Sequence, residues 1–346
     1  MPAPKPEETG ADPACGTAGF LINAMEQLLE THSSEEGTDI QEIIGSDGKP
    51  QKAITYMGDL LSQEQWNHIK TQMFHGFDFD NTMLRIAAMN LYMHGVEDPD
   101  IHYQDTLAQS FSERFPSKEE DAFDVILANP PFKGALDEDT VNPPILRLVK
   151  TKKTELLFIA QILRMLKIGG RSATVVPQGV LFGSSGAHQA LRKLLIDDNQ
   201  LEAVINLPTG VFRPYAGVAT AILVFTKGGK TDHVWFYDVQ DDGFSLDDKR
   251  DRKYDSDFAG DMPKVLEYWE KRDKTIAGSD KNDRTAPSFW VSREEIANNK
   301  YDLSINRYKD VAYEEERYDP PREILARMKL LEEEILGELN ELEAML

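Results

Sequence analysis

The tetrad Asn129-Pro130-Pro131-Phe132 combines groups that can hold a planar amine. It follows Phe123–Ala128, an apolar run that is typical of a buried strand. Two prolines fix the backbone and remove two N–H donors, which leaves carbonyl oxygens free to face a ligand. The asparagine amide offers an acceptor oxygen, and the aromatic ring can stack on a flat base. An ordinary Pro-Pro strand exit is the alternative interpretation.

The chemistry favoured by this tetrad is transfer of a group to an exocyclic amino nitrogen. Such a nitrogen is a poor nucleophile because its lone pair is delocalised into the ring. If Asn129 and the Pro130 carbonyl accept hydrogen bonds from its two N–H groups, the nitrogen becomes more pyramidal. The same acceptors stabilise the positive charge that develops on nitrogen during transfer.

A loop of small residues, Ala11-Asp12-Pro13-Ala14-Cys15-Gly16-Thr17-Ala18-Gly19-Phe20, precedes the helical segment Leu21–Glu30. Small residues let a backbone turn tightly and approach a ligand, and the following helix offers free N–H groups to a polar ligand. No Gly-Lys-Ser/Thr follows, so the loop differs from a Walker motif. A glycine-rich turn before a helix is the alternative interpretation.

Two carboxylates follow successive predicted strands. Asp78 comes after Phe74–Phe77, where a carboxylate can accept from both hydroxyls of a ribose, and Asp105 comes after Ile101–Tyr103, where it can accept from an adenine amine. Asp80 is a rival for the ribose role, and its alternative is to cap the helix that begins at Asn81. Taken singly, each of these acids is also compatible with a solvated loop or a cap.

The elements that must position these groups alternate along the chain. Helical patterns are predicted at Asn81–His94, Leu156–Leu166 (ending at Gly169-Gly170) and Ala187–Leu195. The remaining predicted strands are Phe123–Ala128, Ser172–Val176, Leu201–Leu207, Thr220–Phe225 and Val234–Tyr237. This alternation predicts an α/β fold with a mostly parallel sheet covered on both faces, which binds ligands at the carboxyl ends of its strands.

With these four motifs in order, the chain resembles a class I S-adenosylmethionine-dependent methyltransferase. More narrowly, it resembles the modification (M) subunit of type I restriction–modification systems, an N6-adenine DNA methyltransferase. The likeness runs from about Ala11 to Lys227. Its phrases are Asp12–Leu21, Met89–Gly95, Asp105–Leu107, Asn129–Phe132, Val175–Phe182 and Leu207–Phe212.

The resemblance implies a doubly wound, seven-stranded, Rossmann-like sheet and a role for each matching residue. Asp12, Ala14 and Gly16 match the loop that wraps S-adenosyl-L-methionine, Asp78 its ribose acid and Asp105 the acid that faces its adenine. Asn129, Pro130, Pro131 and Phe132 match the site of the target base, which the family extrudes from the duplex. Neighbouring residues are assigned to donor binding with them, namely Cys15, Thr17, Gly19, Phe20 and Thr106.

Two departures from the family accompany this likeness. Ala18 stands where the family usually has glycine, and one methyl group can disturb a tight loop. The family also has a helical N-terminal domain and a Thr-Pro-containing segment before the donor loop, and neither is visible in the eleven residues before Asp12. We therefore expect the donor contacts of that segment to be missing.

Composition bounds the class of protein. The chain has 346 residues and a net charge of −22, and its single cysteine excludes a disulfide framework and fits a reducing cytoplasm. No apolar run is long enough for a membrane helix. The negative charge argues against DNA binding by the chain alone, so we expect weak duplex binding with a shallow salt dependence. The resemblance assigns DNA recognition to a specificity (S) subunit, with a restriction (R) subunit in the full complex.

Three segments are predicted. Residues 1–230 form the catalytic domain, and residues 231–319 an acidic, α-rich C-terminal extension. Residues 320–346 form a long helix, in which a coiled-coil-like seam predicts either docking of another subunit or packing on its own domain. The seam consists of Ile324, Met328, Leu331, Ile335, Leu339, Leu342 and Leu346. A basic cluster, Arg147, Lys150, Lys152 and Lys153, is interpreted as a DNA-backbone contact or a solvated loop.

Three rival functions remain open on the sequence. A methyltransferase of protein glutamine or of RNA also uses Asn-Pro-Pro followed by an aromatic residue. A non-catalytic assembly subunit is the third candidate, because the N-terminal donor contacts are not visible. Cytosine C5 methylation is disfavoured because Cys15 lies in the donor loop rather than after a catalytic proline. No metal site is predicted.

Overall fold

A computed structural model describes residues 2–44, 50–253 and 260–310, together with residues 325, 327–332, 335–337 and 339. Residues 1–309 form one compact unit and residues 310–346 a second. The strands are β1 Gly10–Asp12, β2 Thr38–Ile44, β3 Pro50–Tyr56, β4 Phe74–Asp78, β5 Asp100–Tyr103, β6 Phe123–Ala128, β7 Leu166–Pro177, β8 Gln200–Asn206, β9 Thr220–Thr226, β10 His233–Asp238 and β11 Ser288–Ser292.

The helices follow the strands in an alternating order. They are α1 Gly19–Thr31, α2 Gln63–Thr71, α3 Asn81–Met93, α4 Gln109–Arg114, α5 Pro143–Leu148, α6 Thr154–Met165, α7 Gly179–Phe182, α8 Gly186–Lys193, α9 Met262–Glu270 and α10 Arg293–Asn298. Helix α8 continues into a π-helical turn at Leu194–Asp198. The predicted helices at 81–94 and 187–195 are confirmed to within two residues at each end.

Nine strands form one sheet in the order β11-β10-β8-β9-β7-β6-β1-β4-β5, and β2 and β3 form a separate hairpin. Strands β7, β6, β1, β4 and β5 are parallel to their neighbours within that stretch, while β9 is antiparallel to both β7 and β8. The predicted mostly parallel α/β sheet is therefore confirmed. It has nine strands rather than the seven expected.

Helices cover both faces of the sheet, and the side chains of β6 therefore alternate between two apolar clusters. Ile126 and Ala128 pack in a cluster with buried residues of α6 and α8, while Leu127 packs against a cluster that includes α1 and α3. Helix α6 is buried nearly all round, which matches its apolar sequence. These layers hold the carboxyl ends of β6, β1, β4 and β5 side by side.

The sheet continues past the boundary that we placed near residue 230. Strand β10 pairs in parallel with β8, and β11 pairs antiparallel with β10, so these two strands extend the same sheet. Trp235, Tyr237, Trp269 and Trp290 share one apolar cluster there. The compact unit ends at Lys309, and its acidic part is built on these strands as well as on helices.

Gly169 and Gly170 lie inside β7 instead of ending the preceding helix. Helix α6 ends at Met165, where Leu166 turns to an extended conformation and pairs with Phe123. A Cβ on Gly170 would lie 2.9 Å from the carbonyl oxygens of both Lys167 and Phe123. The glycine is required by this close approach of backbones at an irregularity of the strand.

A titratable cluster joins the start of β5 to β4. The carboxylate of Asp100 accepts hydrogen bonds from His75, His102 and Lys118. Burial raises the pKa of Asp100, but the hydrogen bonds from His102, His75 and Lys118 outweigh it and hold that pKa well below its usual range. This cluster lies at the amino end of β5, away from the strand ends that carry the predicted site.

The described residues of the second unit are helical at 325, 327–332, 335–337 and 339. Met328, Leu331, Ile335 and Leu339 of the predicted seam lie on this segment, and their side chains are exposed. Ile324, Leu342 and Leu346 lie outside the described residues. The docking role of the seam stays a prediction.

Candidate active site

The loop after β1 is shaped by its own backbone. Asp12, the last residue of β1, is buried, and its Oδ1 accepts from the backbone N–H of Ala14 at 3.0 Å. Burial raises the pKa of Asp12 to about 7, and the nearby charge of Asp78 adds to the rise. The site therefore holds a buried carboxyl whose ionised form a cationic ligand would stabilise.

Gly16 connects this loop to the end of β4. Its backbone N–H donates to Oδ2 of Asp78 at 2.9 Å, and its φ of +52° lies in the left-handed region. No atom lies within 4 Å of the position that a Cβ on Gly16 would occupy. The loop is thus tied down at one side and open at the other, as a ligand cradle requires.

Cys15 and Ala18 are structural members of the loop. The backbone N–H of Cys15 donates to the carbonyl of Phe77 at 2.9 Å, and the side chain is buried against Gly76. Burial raises the pKa of the Cys15 thiol, with further contributions from Asp12 and Asp78, so the thiol is neutral. Ala18 is fully buried at φ +64°, which costs an alanine about 1 kcal/mol where glycine would cost little.

The remaining loop residues face outwards at the start of α1. Thr17, Gly19 and Phe20 are exposed, and the carbonyl of Thr17 accepts from Nδ2 of Asn90 at 3.1 Å. Asn90 belongs to the Met89–Gly95 phrase. This hydrogen bond joins helix α3, which contains most of that segment, to the loop after β1.

The structure gives Asp78 and Asp80 different tasks. Oδ1 of Asp80 accepts from the backbone N–H groups of Thr82 and Met83, so Asp80 caps α3. Asp78 bonds Gly16 through Oδ2 and the N–H of Asp80 through Oδ1. Phe79 stands between them with 64% of its surface exposed. Our sequence analysis did not single it out, although an aromatic residue directly after Asp78 was the available signal.

Asp105 and Thr106 follow β5 and lie beside the loop after β1. Oδ1 of Asp105 accepts from the N–H of Leu107 at 2.9 Å, and burial raises the pKa of this carboxyl although that hydrogen bond lowers it. Oγ1 of the buried Thr106 donates to the carbonyl of Pro13 at 3.2 Å. Asp12–Phe20, Asp78, Asp105 and Thr106 therefore form one connected group, which we call the donor half.

The tetrad after β6 lies beside the donor half, since β6 pairs with β1. Asn129 and Pro131 are exposed, Pro130 is buried and Phe132 is partly buried. The ring of Phe132 meets that of Phe212 edge to face, with centroids 5.1 Å apart. Sequence reasoning missed Phe212 as a site residue, although the phrase Leu207–Phe212 contained it. We call Asn129–Phe132 and Phe212 the acceptor half.

Two cavities open at the acceptor half. One, of about 570 Å³, is lined by the tetrad and by Lys133, Phe212 and Tyr215. The other, of about 630 Å³, shares Phe132 with the first and includes Lys153 and Phe182. Their aromatic side chains suit a flat base, and each lining holds one lysine, with Glu155 as the acidic member of the second.

The basic cluster lies on the segment that follows the tetrad. Lys152 forms an exposed ion pair with Asp137 at 3.7 Å, and Lys153 lines the second cavity. Within the described part of the chain, no three His, Cys, Asp or Glu side chains form a metal-binding group. None of the described helices is long and apolar enough to span a membrane.

Comparison with known proteins places the chain in a family. Residues 1–317 match the family model of the N-6 DNA methylase. The chain belongs to the N-6 DNA methylase family. The match covers both halves of the site and the strands β10 and β11.

Named relatives agree with this assignment. The chain is 30% identical over 343 residues to the methylase subunit of the type I restriction enzyme EcoEI of Escherichia coli, covering 97% of this chain and 60% of that protein. It is 29% identical over 381 residues to the EcoKI methylase subunit of Escherichia coli strain K12, covering 99% and 64%. The chain thus spans less than two thirds of the length of these relatives.

Solved structures share the fold. The crystal structure of the EcoKI M protein matches with a TM-score of 0.64 and 25% identity, covering 99% of this chain and 68% of that one. A chain from a structural study of complex assembly in a type I restriction–modification system matches with a TM-score of 0.65 and 27% identity, covering 98% and 62%.

Proposed function

We propose that this chain is the methyl-transferring subunit of a type I restriction–modification system and that it methylates the N6 atom of adenine in DNA. The carrying observation is that the donor loop, Asp78, Asp105 and Asn129 follow four neighbouring parallel strands, β1, β4, β5 and β6. A donor and an acceptor can meet only where these strand ends meet.

The donor half fits S-adenosyl-L-methionine. The buried carboxyl of Asp12 suits the ammonium group of the amino-acid part, because a buried carboxylate gains most from a cationic partner. The open side of Gly16 leaves room for a ligand against the backbone. When bound, this donor supplies an electrophilic methyl group on a sulfonium.

The nucleoside part of the donor fits the two remaining strand ends. Asp78 presents a carboxylate beside Gly16, where it can accept from ribose hydroxyls. Phe79 offers an exposed ring for stacking on the adenine, and Asp105 offers a carboxylate for the adenine amine. The contact between Thr106 and Pro13 holds the third strand end to the loop.

The acceptor half fits the target adenine. Asn129 presents its amide at the exposed end of β6, and Pro130 contributes a backbone carbonyl. Neither Pro130 nor Pro131 has a backbone N–H, so the segment offers acceptors and no donors from these two residues. These acceptors orient the N6 amine and stabilise its developing positive charge. Phe132 and Phe212 provide aromatic faces for the extruded base, and Pro131 keeps the backbone rigid between them.

The partners proposed for this chain are DNA, a specificity subunit and a restriction subunit. The support is that the relatives are named methylase subunits of type I restriction enzymes. The seam on residues 320–346 is proposed as the docking helix for another subunit, and the net charge of −22 is consistent with DNA being held mainly by a partner. A cytoplasmic location follows from the same role.

The family match favours DNA over protein glutamine or RNA as the substrate. The remaining alternative is an assembly subunit that does not bind the donor. Calorimetric titration with S-adenosyl-L-methionine, alone and with the specificity subunit, separates the two. We expect saturable binding that is weakened in Asp12→Asn. An absence of binding under both conditions would favour the assembly role.

A further inference from the structure

Tyr215 is the most exposed large side chain beside the acceptor half. It lies on the segment between β8 and β9 with 95% of its surface accessible, and it lines the cavity that Asn129 and Phe132 also line. In the described ranges 2–253 (without 45–49) and 260–310, its ring has no hydrogen-bond or ring partner. This exposure leaves the ring free to contact a molecule that enters the cavity.

The backbone presents this ring outwards. The N–H of Ala216 donates to the carbonyl of Phe212 at 2.9 Å, and the N–H of Arg213 donates to the carbonyl of Gly210 at 3.0 Å. These turns place Phe212 inside, against Phe132, and Tyr215 outside on the same short segment. One loop therefore carries one ring that faces the cavity interior and one at its mouth.

The charges around the mouth fit a nucleic-acid strand. Lys133 lines the same cavity, and Lys153 lines the adjoining one together with Glu155. Arg213, two residues before Tyr215, has Asp248 as a distant ion-pair partner at 3.8 Å. Cations near an exposed aromatic ring are the combination that binds phosphates while a ring stacks on bases.

We propose that Tyr215 enters the duplex at the position that the target adenine leaves and stacks on the bases that remain. This inference rests on the proposed function. Extrusion of a base breaks its pairing and its stacking, and an inserted ring replaces part of that stacking. Phe132 and Phe212 would hold the extruded base, whereas Tyr215 would hold the gap open.

The test uses the complex of this chain with its specificity subunit. Single-turnover methylation is measured for the wild type, Tyr215→Ala and Tyr215→Phe on two duplexes. One has thymine opposite the target adenine, and the other has an abasic site there, which makes extrusion easier. In parallel, 2-aminopurine at the target position reports extrusion by its fluorescence.

We expect Tyr215→Ala to slow methylation of the intact duplex about 10- to 100-fold, as loss of one stacked base predicts. The abasic duplex should restore the rate to within about 3-fold of the wild type, and Tyr215→Phe should behave like the wild type. The fluorescence increase should fall with the rate in Tyr215→Ala. A matched control is Ile168→Ala, which removes another exposed side chain near the amino end of β7 and should leave all rates unchanged.

Three results would overturn the inference. An unchanged rate in Tyr215→Ala would show that the ring does not act on DNA. An equal loss on both duplexes would show that Tyr215 serves DNA binding or a protein contact instead of base extrusion. Failure of the wild-type complex to methylate either duplex would overturn the proposed function, and this inference with it.

Discussion

The donor half and the acceptor half lie on adjacent strands but are built in opposite ways. In the donor half, hydrogen bonds join Asp12 to Ala14, Gly16 to Asp78, and Thr106 to Pro13. In the acceptor half, Asn129 is exposed and Phe132 has a ring contact with Phe212. One half is held by its own backbone, and the other presents groups to an external partner.

This difference indicates that the donor site is formed before its ligand binds, whereas the acceptor site is completed by the DNA. A small donor returns in every turnover, so a fixed cradle lowers the entropy that each binding event costs. A base extruded from DNA arrives only after the duplex opens, so its site must be open and aromatic. Substitutions in the two halves should therefore separate donor binding from methyl transfer.

The largest effect is expected for Asn129→Ala. Removal of the amide acceptor leaves the developing charge on the target nitrogen without its partner, so methyl transfer should fall about 10²- to 10³-fold. Donor affinity should stay within about 2-fold of the wild type, because the donor half is untouched. Calorimetry with the donor and single-turnover methylation measure the two quantities. Weakened donor binding in this variant would contradict the separate roles of the two halves.

The next effect is expected for Asp12→Asn. The substitution removes the carboxylate proposed to pair with the donor ammonium, so donor affinity should fall about 10- to 100-fold. For the wild type, donor affinity should also weaken as the pH falls from 8 to 6, because a pKa of about 7 leaves Asp12 increasingly protonated. The variant should show no such pH dependence. Calorimetry across this pH range measures both effects.

The same residue predicts an opposite effect on stability. Because the folded-state pKa of about 7 lies above the ordinary value of 3.8, the free chain loses stability as the pH rises from about 4 to 7. Asp12→Asn removes this loss and should be more stable than the wild type at pH 8, by about 4 kcal/mol at most. Denaturant unfolding of both proteins at pH 5 and pH 8 checks the sign. A variant that is less stable at pH 8 would contradict it.

A smaller effect is expected for Gly16→Ala. The added methyl group enters the open side of the donor loop, and donor affinity should fall about 10-fold. Gly169→Ala is a matched control, since Gly169 also has a positive φ and open space around its missing Cβ, yet lies near the start of β7. Both variants should lose about 1 kcal/mol of stability from backbone strain. An equal loss of donor affinity in both variants would show that the open side of Gly16 does not face the donor.

The smallest functional effect is expected for Asp100→Asn, which touches neither half. Loss of the carboxylate shared by His75, His102 and Lys118 should cost about 2 kcal/mol at neutral pH. Because the pKa of Asp100 is lowered in the fold, its contribution is present above pH 4 and is lost as the pH falls further. Donor affinity should be unchanged. Unfolding at pH 7 and pH 3, with calorimetry at pH 7, tests both statements.

The sequence predicted the strands that carry the site because their apolar patterns are local and regular. Phe123–Ala128 is observed with those bounds, and Phe74–Phe77 differs from β4 only by Asp78. The boundary that we placed near residue 230 falls between strands of one sheet, because acidic composition says little about pairing between distant strands. The partners of β10 and β11 depend on contacts that span many residues, and a local pattern does not contain them.

Within the site, sequence reasoning placed the acids better than the aromatic walls. Asp78 and Asp80 stayed open alternatives because both follow one strand, and only the cap on Thr82 and Met83 separates them. Phe212 comes from the distant segment after β8, so its meeting with Phe132 needed the folded sheet. The hairpin of β2 and β3 was also missed, since no predicted element covered residues 31–73.

Methyl transfer to adenine N6 is measured directly by analysis of the DNA product. The complex with the specificity subunit is incubated with S-adenosyl-L-methionine and duplex DNA, and the nucleosides are then analysed by mass spectrometry. We expect N6-methyladenine from the wild type and a loss of about 10²-fold or more with Asn129→Ala. A wild-type complex that binds donor and DNA but forms no N6-methyladenine would contradict it.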